Sequence, residues 1–188
     1  MTTPYSNDNQ DFSDLAHYTA QSTLYPLLFK CDQFALTFES ANVSDGGRAA
    51  ILDGEMGIDK IINVQVPMLH GPLVFTIQER FRRVKFDGYT DLTITEYNNT
   101  TGQLSELYKM VAGIFVYGFF DEKTERFTKW VAADVNKMLY GIATGNLSFN
   151  KQRNSRSNQD FIGIEVSDLF DGGYLLSGIN KHKWGIKS

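Results

Sequence analysis

The chain has 188 residues, 42% of them hydrophobic and 21% charged, an ordinary globular composition that excludes a fibrous repeat and a wholly disordered chain. Its net charge of −4 argues against general affinity for nucleic acid, which draws on an excess of Lys and Arg. The single cysteine, Cys31, excludes an internal disulfide and a cysteine-built zinc site.

Residues 1–10 are polar and lack the basic-then-apolar pattern of a secretory signal, which predicts a loose tail before one domain over 11–188, in a cytoplasmic setting. Phe12, Leu15, Ala16 and Thr19 fall at helical spacing behind a cap at Asp11 or Ser13, predicting a helix over Phe12 to Gln21. Leu24 to Phe29 is apolar but interrupted by Pro26, and Gln33 to Ser40 reads either as a helix end or as a strand. Ser44-Asp45-Gly46-Gly47 is a turn signal.

Ile58, Lys60, Ile61, Ile62 and Val64 predict a strand ending at Pro67, which cannot donate to a ladder. His70-Gly71-Pro72 turns the chain into a second strand over Leu73 to Phe81, and Tyr89 to Tyr97 alternates as a third. Leu104, Leu107, Tyr108 and Val111 predict a helix of about two turns. Ile114 to Phe120 reads as a central strand, with Phe115, Tyr117, Phe119 and Phe120 as core, and Arg126 to Ala132 as its partner. The longest apolar stretch, Met110 to Phe120, is too short for a membrane span of about 20 residues. A helix over Asp134 to Tyr140, a polar loop over Ser148 to Asp160, a last strand over Phe161 to Val166 and a Gly-rich basic tail complete the reading. The fold class expected is α/β (α+β), one domain with a central mixed sheet flanked by helices.

For chemistry, the nucleotide-binding glycine loops and the Gly-x-Ser-x-Gly elbow are absent. His17, His70 and His182 stand far apart and read as surface or turn histidines. Two basic clusters, Arg80-Arg82-Arg83-Lys85 and Lys151-Arg153-Arg156, read as solvated faces, with phosphate contact as the functional alternative. What remains is Asp59 opening one strand and Gln78 and Arg80, two apart and therefore on one side of the next strand. Asp59 and the Gln78 oxygen are candidate ligands for Mg²⁺ beside a phosphate, and Arg80 a candidate positive charge.

Gly57-Ile58-Asp59-Lys60-Ile61-Ile62 and Val74-Phe75-Thr76-Ile77-Gln78-Glu79-Arg80 resemble the two core elements of the PD-(D/E)XK nuclease-like superfamily. There an Asp opens one strand and a (D/E)-x-K triplet lies on the next. Gln78 stands where that family has an acid, and Arg80, which cannot act as a general base, where it has Lys. The resemblance implies a restriction-endonuclease-like core with a three-stranded meander, and a metal-dependent DNA endonuclease or resolvase-like phosphodiesterase, often dimeric. Its site would be Asp59, Gln78, Glu79 and Arg80. Mg²⁺ or Mn²⁺ would sit on Asp59, Gln78 and Glu79, phosphate on Arg80 and Arg82, and a helix acid, Glu39 or Glu55, would join them. Alternation points Glu79 toward the face of Phe75 and Ile77, away from Gln78. The rival expectation is an inactive structural, DNA-binding or protein-interaction module of a phage or mobile element.

Overall fold

The computed structural model describes residues 7–41, 46–155 and 157–186. Ser44, Asp45, Arg156 and residues 1–6 of the expected tail lie outside them. Helix α1 (Asn7–Thr23) begins inside the segment expected to be loose, so Asn7 to Gln10 are helical. Short α2 (Tyr25–Phe29) follows, with Pro26 in its first turn, where a missing N–H costs nothing. The ambiguous stretch then resolves into a 3₁₀ turn, Gln33–Ala35, and strand β1 (Leu36–Ser40).

Helix α3 (Gly47–Met56) leads to the antiparallel hairpin β2 (Lys60–Val64) and β3 (Leu73–Arg83). The chain continues through β4 (Asp91–Asn98), β5 (Gln103–Leu104) and α4 (Glu106–Lys109) to β6 (Ile114–Asp121) and β7 (Arg126–Asp134). The expected two-turn helix shrinks to Glu106–Lys109 because Leu104 pairs with Tyr97 in a sheet. After α5 (Val135–Thr144), the supposed polar loop holds β8 (Asn150–Asn154) and the start of β9 (Gln159–Glu165). The basic tail holds α6 (Val166–Asp171), β10 (Leu175–Ile179) and a 3₁₀ turn, Lys181–Trp184.

Two sheets result. The larger runs β1-β2-β3-β6-β7-β10 and is mixed, with β3 and β6 parallel and the other pairs antiparallel. The smaller, β5-β4-β9-β8, is antiparallel. The single mixed α/β architecture is the one expected, but the Tyr89 to Tyr97 strand belongs to the second sheet; the meander of the first sheet is β1-β2-β3.

Strand β6 explains the layering. Phe115, Tyr117 and Phe119 pack with Leu92, Ile94, Ile162 and Ile164 of the second sheet. Ile114, Val116 and Phe120 pack with Phe12, Ala16 and Ala20 of α1. Both faces are covered, so the strand reads as an unbroken apolar run, and its aromatic residues are fully buried core. Helix α1 therefore lies on one face of the large sheet and the small sheet on the other. Among the described residues no helix is long and apolar enough to cross a membrane.

Candidate functional site

Helix α1 carries a buried stripe, Phe12, Ala16 and Ala20, and beside it a polar stripe of Gln10, Asp14, His17 and Gln21. The polar stripe overhangs β3 and forms one wall of a cavity of about 580 Å³. The opposite wall comes from Ser40, Asp53, Asp59, Lys60 and Glu79.

Asp59 reaches this wall through a local device. Gly57 ends α3 with φ 56°, and a side chain there would come within 3.1 Å of Gln78 Oε1 and 3.2 Å of the Met110 backbone. The chain then turns into the sheet: the Asp59 N–H donates to the Ile77 carbonyl at 2.8 Å. The Asp59 carboxylate accepts from the Glu79 N–H at 2.5 Å.

Glu79 is the hub. Its buried Oε2 lies 2.5 Å from His17 Nδ1 and 3.6 Å from Lys60 Nζ, and its Oε1 accepts from the Tyr25 hydroxyl. Lys60 also donates to Ser40 Oγ at 3.1 Å. Burial alone would raise the Glu79 pKa, but the His17 charge, its hydrogen bond, Lys60 and Tyr25 outweigh it and hold the carboxyl below its ordinary range. Burial pulls His17 down, yet Glu79 lifts it to a net raised value, favouring imidazolium. The Tyr25 phenol is pushed well above 10 by burial and then by the Glu79 charge, so it stays a donor. Asp59, half-buried and next to the Glu79 charge, is raised to about 7 by loss of solvation and then by that charge. Two adjacent carboxyls thus hold opposite protonation preferences, and a base near neutrality stands beside two cations.

Of the residues expected at the site, the structure brings together Asp59 and Glu79. No bulge turns Glu79 round; the cavity itself lies on the Phe75–Ile77 face toward which alternation aims it. Gln78 and Arg80 do share a face, but it is the one turned to the small sheet. Gln78 is buried there with its Oε1 unpartnered. Arg80 donates to the Thr93 carbonyl at 3.0 Å and Thr95 Oγ1 at 2.8 Å, and pairs with Glu106 at 2.8 Å. Arg82 follows on that face, beside the Tyr117 phenol, whose pKa burial raises although the Arg82 charge opposes the shift. Glu39 is exposed on β1 and pairs with Arg48 at 3.7 Å, and Glu55 is exposed on α3; the helix acids on the cavity are Asp14 and Asp53.

Sequence reasoning missed His17 and Lys60. The signal for His17 was its place in the polar stripe of α1, at helical intervals from Asp14 and Gln21. Lys60 is 4% exposed, although its strand reads as a run of apolar residues around one charge.

Mg²⁺ or Mn²⁺ needs hard oxygen ligands converging on one point. The set that the resemblance implies is divided, since Gln78 faces the other layer and the Glu79 oxygens are engaged by His17, Lys60 and Tyr25. Among the described residues no group of three His, Cys, Asp or Glu is placed to hold a metal ion. The side chains present do not fit the ion as the resemblance would seat it. No protein-family model, curated protein or solved structure matches the chain.

Proposed function

We propose that the cavity between α1 and the β2–β3 hairpin is an acid–base site for hydrolysing phosphodiester bonds in nucleic acid, with DNA as the expected substrate. The observation that carries this reading is the convergence of Asp59, whose pKa is about 7, with Lys60 and a charged His17 on one open cavity. Ionised Asp59 takes a proton from the water that attacks phosphorus. The His17 imidazolium gives a proton to the departing oxygen, and the Lys60 ammonium offsets the charge gathering on the phosphoryl oxygens. One proton ends on Asp59 and one on the released alcohol; exchange with solvent resets both groups. Glu79 is a positioning residue, keeping His17 protonated and Lys60 in place.

The test is cleavage of labelled DNA between pH 5 and 9, in chelator and in millimolar Mg²⁺ or Mn²⁺. Cleavage is expected in chelator, with Asp59→Asn and His17→Ala each lowering it about 100-fold or more. Absence of cleavage under every condition sinks the proposal. A strict Mg²⁺ requirement, with Mg²⁺ raising the melting temperature of the wild type but not of Asp59→Ala, would make Asp59 a metal ligand and overturn its role as base.

A second reading has its own support in the saturation of Glu79, which ties α1, α2 and β2 to β3 through His17, Tyr25 and Lys60. On that reading the cluster is a structural lock in a non-catalytic module. Asp59→Asn would then alter stability alone.

A further inference from the structure

The charge of the cavity and the form of its mouth restrict which nucleic acid enters it. Duplex DNA is held by many phosphate contacts from Lys and Arg. Lys60 is the one Lys or Arg among the described residues lining this cavity. Of the expected basic cluster, Arg80 pairs with Glu106 and Arg83 with Asp8 and Glu122, and Arg82 shares the face of Arg80, turned away from the cavity. Asp14 and Asp53 add negative charge to the walls, which disfavours a rigid double row of phosphates more than one phosphate seated on Lys60 and His17.

The volume, about 580 Å³, lies in the range of small-ligand sites. Tyr18, next to His17, lines the cavity with 72% of its surface exposed, an uncovered aromatic ring at the mouth. Proteins that hold single strands stack unpaired bases on such rings beside a phosphate contact. Ser13 and Gln21 on the same wall offer a hydroxyl and an amide to the edge of a base.

Resting on the hydrolytic reading above, we infer that the substrate enters as one unpaired nucleotide, a strand end or a splayed-out residue, with its base on Tyr18 and its phosphate toward Lys60 and His17. Fluorescence anisotropy of the wild type with a labelled ten-nucleotide oligo(dT) and with a short blunt hairpin tests it, alongside cleavage mapping on a hairpin with a 3′ tail. The single strand should bind at least tenfold tighter than the duplex, and cuts should fall in the tail. Tyr18→Ala should weaken single-strand binding about tenfold, while Tyr18→Phe, which keeps the ring, restores it. Equal binding or cutting of the duplex, or a Tyr18→Ala variant that binds as the wild type does, overturns the inference. Single-strand binding without any cleavage would keep the nucleotide site and sink the hydrolytic reading; no binding of either nucleic acid sinks both.

Discussion

Asp59, immediately before β2, and Glu79, on β3, are joined by a hydrogen bond and are driven in opposite directions by their surroundings. Because Asp59 has a folded pKa of about 7, above its ordinary 3.8, the native state holds that proton more tightly than the unfolded chain does. Its contribution is fully present below about pH 4 and is lost as pH rises through 7. Asp59→Asn should therefore be more stable than the wild type at pH 8, by about 1–2 kcal/mol once solvent access to this half-buried group is allowed for, and show no gain near pH 4. Urea denaturation at the two values measures it. For the ion pair the signs differ: Glu79, lowered from 4.5, stabilises above that value, and His17, raised from 6.5, stabilises below it. The pair is complete between about pH 4.5 and 6.5, weakening as pH falls through the lowered Glu79 value or rises through the raised His17 value. Glu79→Gln should cost about 3–5 kcal/mol at pH 6, since it leaves buried cations unpaired, and less at pH 9. An identical loss at both values would show that His17 is not a charged partner.

Among the elements, the hairpin and the central pair were legible because their apolar residues alternate or run unbroken. Strand β8, Asn150–Asn154, is exposed along its whole length and polar on both faces, so its extended form comes from pairing with β9 rather than from any pattern of its own. Arg80 belongs to the same lesson. Its alternation with Gln78 is visible in the sequence, but its task is set by β4, whose edge beyond the short β5 pairing is open. Arg80 covers the Thr93 carbonyl there, and the Glu106 carboxylate accepts from the Thr95 N–H at 3.1 Å. Such an edge is otherwise free to pair with another chain. Glu106→Ala should cost about 1–3 kcal/mol by leaving Arg80 and the Thr95 amide without their acceptor. Hydrogen exchange at Thr95 should speed up several-fold in that variant; unchanged protection would mean that other contacts close the edge.

For the whole molecule, the sandwich is closed at one end by Lys129. This side chain is fully buried on β7, donates to the Tyr89 carbonyl at 2.6 Å and the Lys183 carbonyl at 3.1 Å, and lies 4.1 Å above the Trp184 ring. Burial lowers its pKa, and Asp87 at 3.6 Å opposes that effect. Lys129→Met keeps the stem and removes the charge, leaving the Tyr89 and Lys183 carbonyls without this donor and Asp87 with Lys183 as its remaining cation. It should lower stability by about 2–4 kcal/mol and make residues 181–186 sensitive to limited proteolysis. Resistance equal to the wild type would mean that burial of Trp184 alone holds the segment. The sequence by itself determined the mixed α/β class, the β2–β3 hairpin, the buried β6 strand, and which side chains of β3 share a face, because a period of two is a local property of an extended chain. Tertiary structure decided which face became a cavity and which an interior. Glu79 meets His17, and Arg80 meets Glu106, because α1 and the small sheet settle on opposite sides of β3, and that choice is made by apolar surfaces distant in the chain.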